Sequence, residues 1–175
     1  MSLSRMEERR RDPVMSARRW TLLILGFLVF LCVIFVIYIK SAGADYQNEK
    51  NGAIRLAKQE AGIVKPAEAV KHVWEESVWV VSGKDADGVK WFVWERQDGL
   101  VKERADDGLS EDEAKQRFTE EHPGKQIVRV MPGWFENQPA WEIRYISDPE
   151  TERQAIDFYA FKDGMKLKTY DLPGK

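Results

Sequence analysis

The chain holds two histidines, His72 and His122, fifty residues apart, and one cysteine, Cys32. Zinc needs three or four converging His, Cys or carboxylate ligands. One imidazole in a strand and another beside Pro123 supply no such set, so both read as ordinary surface or capping side chains. Asp85-Ala86-Asp87-Gly88 imitates the middle of a calcium loop. With Gly88 as the sixth loop position, however, the first and twelfth fall on Gly83 and Trp94, which bring no carboxylate. A hairpin turn is the better reading of that Asp-Gly pair. No G-x-S-x-G occurs, and Ser77, Ser82, Ser110 and Ser147 sit in turn, strand-end or cap contexts. Glu111, Asp112 and Glu113 crowd the first turn of a helix, where the dipole favours negative charge. The expectation is no catalytic residue, no metal ligand, no cofactor and no enzyme; a glycan hydrolase would need a housed carboxylate pair, and none is visible.

Aromatic residues are the unusual feature. Six of the seven tryptophans follow residue 40: Trp74, Trp79, Trp91, Trp94, Trp134 and Trp141. In a strand over 89–94, Trp91 and Val93 point to one face and Phe92 and Trp94 to the other, so the strand is apolar on both. One helix covers one face only. The other needs a second structural unit, a protein partner, or a glycan stacked on the indoles. Trp91 and Trp94 are the candidate partner-binding residues: the less buried of the two is expected on a partner surface, the more buried one in the core.

These side chains must be held by something, and the chain's arrangement starts from Trp20–Ile39, twenty residues without a formal charge. As a helix this run spans roughly 30 Å, the thickness of a bilayer's hydrocarbon core. Arg5, Arg9, Arg10, Arg11, Arg18 and Arg19 precede it, whereas Lys40 alone follows closely. The positive-inside rule then puts residues 1–19 in the cytoplasm as a short disordered tail and the C-terminal part outside. Trp20 and Tyr38, at the two ends, are placed to anchor at the headgroup level. A cleaved signal peptide is the competing reading, because Ala42-Gly43-Ala44 has a small-x-small pattern. The apolar run is longer than the usual ~7–15 residue signal core. Cys32 lies deep in the run after Leu31, a poor site for lipid attachment.

With the only cysteine in the span, the external part must be held by apolar burial without disulfides. Residues 41–175 carry 20 basic and 26 acidic side chains, a net −6, which argues against nucleic acid or anionic lipid as a partner. No small-molecule substrate is expected either.

An amphipathic helix with a thin apolar face is expected over 46–61, stopped by Gly62 and Pro66. Period-2 patterning then predicts strands over 69–74, 78–82, 89–94 and 100–104, with turns at the Asp-Gly pairs. The scheme repeats. Ser110 and Glu113 form a capping box for a helix ending near Glu121, and strands follow over 126–131, 140–146, 153–161 and 165–170. Trp79-Val80-Val81 answers to Trp141-Glu142-Ile143, and Asp98-Gly99-Leu100 to Asp163-Gly164-Met165. Two divergent copies of one helix-plus-sheet unit account for this, dividing the chain into a tail (1–19), a span (20–39), and α+β units at 40–107, including a short linker, and 108–175.

The chain resembles the TseB-like cell-wall elongation regulators of Gram-positive bacteria, also called YpmB. The resemblance rests on Tyr38-Ile39-Lys40-Ser41-Ala42, Trp79-Val80-Val81-Ser82-Gly83-Lys84-Asp85, Phe92-Val93-Trp94, Gly108-Leu109-Ser110-Glu111-Asp112-Glu113-Ala114, Trp141-Glu142-Ile143-Arg144-Tyr145 and Phe161-Lys162-Asp163-Gly164-Met165. It implies tandem PepSY-like, cystatin-like α+β units, each a helix packed on an antiparallel sheet. It also implies a single-pass membrane accessory that binds a penicillin-binding transpeptidase and supports peptidoglycan synthesis, and it carries over no catalytic site. Other PepSY domains imply the alternative of an inhibitor or chaperone of an exported protease. A longer arginine-rich tail, Pro139 and Pro149 depart from the family pattern.

Overall fold

The computed structural model describes residues 17–174. The expected cytoplasmic tail therefore lies, but for its last three residues, outside the described part. The chain divides into two compact units, 1–46 and 47–175.

In the first unit the described residues belong to α1 (Ala17–Glu60). Every large apolar side chain from Trp20 to Tyr38 is exposed, Trp20 at 57% and Tyr38 at 70%. A run this long and apolar, exposed among the described residues, suggests membrane anchoring. The span over 20–39 and the helix expected over 46–61 belong to one helix, since α1 continues through residues 40–45. No proline interrupts the ladder there, and a single interior glycine, Gly43, costs only about 1 kcal/mol.

The second unit begins with the last turns of α1. Ala53, Ala57 and Ala61 are buried there against Ala69, Trp79, Val81 and Val93 on one face of the first sheet. Alanine's short side chain lets helix and sheet approach closely. The helix stops at Gly62, whose φ of +69° is easy only for glycine, and the Ile63 N–H closes back onto the Ala57 carbonyl at 3.2 Å. Strands β1 (Lys65–Val73), β2 (Ser77–Lys84), β3 (Lys90–Arg96) and β4 (Gly99–Arg104) form an antiparallel meander in that order. From Val78 to Gly83 β2 is buried without alternation, the pattern of a strand covered on both faces.

A 3-10 turn (Ala105–Asp107) leads to α2 (Glu111–Glu121). Its capping box is formed as expected: the Ser110 hydroxyl accepts the Glu113 N–H while the Glu113 carboxylate accepts the Ser110 N–H. Strands β5 (Ile127–Phe135), β6 (Gln138–Asp148), β7 (Arg153–Ala160) and β8 (Lys166–Asp171) make a second antiparallel meander. β5 runs four residues past its expected end at Met131. Pro132 does not stop it because β5 is an edge strand, where a missing N–H is tolerated. The hairpin to β6 turns through Glu136 and Asn137, with φ of 48° and 59°, a pair without the glycine that usually marks such turns.

One core cluster joins the halves. Val78, Val80, Phe92 and Trp94 of the first sheet pack with Trp134, Trp141, Ile143, Tyr159 and Phe161 of the second half, and Ala114 and Phe118 of α2 complete it. Of the three covers left open for the first sheet's second face, the second half of the chain supplies this one.

Candidate functional site

The two tryptophans of β3 separate cleanly. Trp94 is 0% exposed and its indole N–H donates to the Gly133 carbonyl at 2.8 Å, tying β3 to β5. Trp91 lies on the opposite face, beside the end of α1, and is half-buried. Its indole N–H donates to Asp85 Oδ2 at 2.8 Å, and the Lys102 ammonium lies 4.0 Å from its ring centroid. The ring is therefore held in one orientation while part of it faces solvent. The Asp85 carboxylate also accepts the Asp87 and Val89 N–H groups, so it closes the β2–β3 turn instead of awaiting calcium. The Trp91 hydrogen bond leads the causes that hold it below its usual carboxylate range.

His72 is buried in β1 and bridges the sheets. Its Nδ1 accepts the Trp134 N–H at 3.3 Å, which leaves the proton on Nε2, 3.1 Å from Glu142 Oε2. Arg129 reaches the other carboxylate oxygen at 2.5 Å. Gly133 makes room: a Cβ there would lie 2.5 Å from the imidazole. Burial pushes the Glu142 carboxyl up, but the hydrogen bonds from His72 and Arg129 outweigh it and hold the group below its ordinary value. A depressed folded pKa adds stability that is complete above the unfolded value, about 4.3, and is lost as pH falls through the lower folded one. Thermal unfolding followed between pH 3 and 7 should accordingly show a drop on the acid side that Glu142→Gln makes shallower.

Three comparisons with known proteins agree. Residues 52–94 match the "Cell wall elongation regulator TseB-like domain". The chain is 28% identical over 147 residues to the "Probable cell wall elongation regulator TseB" of Bacillus subtilis (strain 168), covering 81% of this chain and 89% of that one. Its fold is similar to that of the "YpmB protein from Bacillus subtilis", with a TM-score of 0.64 and 26% identity over 70% of this chain and 96% of the other. All three matches support a likeness to the TseB/YpmB family. The TseB-like match runs from the end of α1 through Trp94, so it contains both β3 tryptophans and His72, whereas α2 and the second sheet follow it. The names printed for these TseB-like proteins are those of regulators, which is consistent with the absence of an expected catalytic site.

Beyond the matched TseB-like segment lies a polar cluster that spacing alone did not assemble. Asp157 on β7 is 0% exposed. It accepts the Thr169 hydroxyl at 2.7 Å, and its Oδ2 lies 2.8 Å from His122 Nε2 and 2.7 Å from Lys166 Nζ. Glu121, His122 and Asp157 could together hold a metal ion. Lys166 Nζ, however, also approaches His122 Nε2 at 3.1 Å and Glu121 at 3.5 Å, so the chain places its own cation among these donors. Tyr159 donates to Glu121 at 2.9 Å, and burial, then that bond, push its hydroxyl pKa up. Burial and the Asp157 and Asp171 charges push Tyr145 up to about 12. Both phenols stay protonated, and the cluster does the work of a buried structural network. The signal in the sequence was faint: Asp157 is the lone acidic residue of its strand, and only a tertiary contact shows that it faces inward.

Trp20 and Tyr38 stand near the two ends of the exposed apolar run of α1. His72 and His122 join different carboxylates, Glu142 and Asp157. The remaining notable polar residues are locally engaged, Ser110 in its cap and Glu111 with Lys115 at 2.5 Å.

Proposed function

We propose that this chain is a single-pass accessory of cell-wall elongation, anchored in the cell membrane through Trp20–Ile39 with its N-terminus inside. Its external part binds a penicillin-binding transpeptidase and is built of two PepSY-like, cystatin-like units, 40–107 and 108–175. Similarity to a cell wall elongation regulator supports the regulatory role, and the exposed apolar helix suggests the anchor. The observation that carries protein binding is Trp91. A half-exposed indole held by Asp85 and Lys102 presents rigid aromatic area that loses little conformational entropy on docking.

Trp91→Ala is expected to weaken co-purification with the transpeptidase by about 2 kcal/mol, roughly 30-fold, while leaving the thermal midpoint in place. Quantitative pull-down from membranes, with a melting curve on the same preparation, checks it. Undiminished capture by the alanine variant would move the docking face elsewhere.

A further inference from the structure

The first sheet's inner face and the start of α2 enclose a cavity of about 190 Å³ whose chemistry no part of the proposal above uses. Small-molecule sites usually begin near ~300 Å³, so the space suits one inserted side chain better than a cofactor. Val70, Val80, Phe92 and Trp141 give it an apolar floor. Glu68, Ser82 and Phe92 lie in one cross-strand row, with Val70 and Val80 in the next, so the carboxylate stands directly beside that floor. On the other side are Asp106, just after β4, and Glu111 at the start of α2. β1 and β4 are the opposite edges of the sheet, so Glu68 and Asp106 approach from opposite sides. Glu111 is paired with Lys115, whereas Glu68 and Asp106 carry no ion pair among the described residues.

The basic group lining this space is Lys90, whose ammonium lies 5.6 Å from the Phe92 ring centroid, within cation–π reach. The floor thus already accommodates a cation of the chain's own. Three carboxylates against one lysine disfavour an anion, and the net −6 of residues 41–175 draws in basic partners.

We infer that this cleft receives a lysine side chain of the protein partner. The aliphatic stem lies on Val70, Val80 and Phe92, and the ammonium is shared by Glu68 and Asp106. Carboxylates lining the cleft at its two edges suit the compact, three-donor ammonium, where an arginine fork is matched by a single carboxylate met edge-on. The inference rests on the reading that the chain docks a protein, and it adds a second contact on the sheet face opposite Trp91.

The Trp141 indole N–H, which donates to the Leu109 carbonyl at 2.9 Å, lies at this cleft and serves as its reporter. The full chain, ¹⁵N-labelled at tryptophan in detergent micelles, is titrated with acetyl-Ala-Lys-Ala-amide and with the same peptide acetylated on the lysine. The free ammonium should shift the Trp141 signal saturably, with at least tenfold stronger binding than the acetylated form. Glu68→Gln combined with Asp106→Asn, both at exposed positions, should weaken binding at least tenfold, and Lys90→Ala should strengthen it. Equal response to the two peptides, indifference to the double variant, or a shift produced by glucosamine and not by lysine overturns the inference; the last result assigns the cleft to glycan. In-cell crosslinking of the double variant separates the two readings. Partner capture that persists without lysine-peptide binding leaves the docking proposal standing and removes the cleft, whereas peptide binding without any captured protein removes the docking proposal.

Discussion

Trp94→Ala is expected to lower unfolding free energy by about 3–5 kcal/mol. The indole is fully buried where the first sheet meets the second half of the chain, with its ring centroid 5.7 Å from that of Phe92 and 5.2 Å from that of Phe161. Truncation removes this area and leaves a cavity that the two sheets can fill only by moving together. It also deprives the buried Gly133 carbonyl of the indole donor at 2.8 Å, a desolvation cost of about 1–3 kcal/mol that a smaller apolar residue cannot offset. Urea denaturation followed by far-UV circular dichroism measures it. A lower midpoint at unchanged slope gives the loss directly, whereas a second transition would mean that the sheets uncouple once the indole is gone. Trp91→Ala supplies the control, since the same deletion at a half-exposed ring should leave the curve nearly unmoved. A loss below about 1 kcal/mol at position 94 would mean that the junction does not depend on this ring.

What was legible in the residues follows from how local each signal was. The capping box at Ser110 and Glu113, the helix stop at Gly62 and the turns at Gly88, Gly99 and Gly164 each need only neighbouring residues, and each is present with the expected geometry. The two-faced pattern of β3 correctly demanded two covers, because an apolar run without polar alternation reports burial on both sides of a strand. It could not say which tryptophan would be sealed. That depended on the bulk arriving from Trp134, Trp141 and Phe161, more than thirty residues away. The span over 20–39 and the amphipathic helix over 46–61 were read separately because their patterns differ, although nothing between them breaks a helical ladder. β5 was cut short at Pro132 because its edge position, which makes proline harmless, is a property of the sheet. Both histidine networks were invisible for the same reason. His72 meets Glu142 seventy residues on, and His122 meets Asp157 thirty-five on, so no spacing rule brings either pair together.

The second large effect is expected at Asp157. Its carboxylate is 0% exposed yet surrounded by donors: Thr169, His122 and Lys166 all lie within 2.8 Å, with Tyr159 at 3.4 Å. A buried charge is tolerable only while such partners replace water, and removing one member of a buried pair typically costs about 3–5 kcal/mol. Asp157→Ala should fall in that range, because it strands the Lys166 ammonium between His122 and Glu121 and releases the Thr169 hydroxyl. Asp157→Asn should cost less. Its amide keeps an oxygen for Thr169 or Lys166 but turns an NH₂ towards one of them, so one contact becomes donor against donor. The informative comparison is a double-mutant cycle with Lys166→Met. If Lys166 is the cation that balances Asp157, removing both should be much milder than the sum of the single losses, with a coupling of about 1–3 kcal/mol. Additive losses would show that the lysine contributes little, and that the aspartate is held by Thr169 and His122 alone.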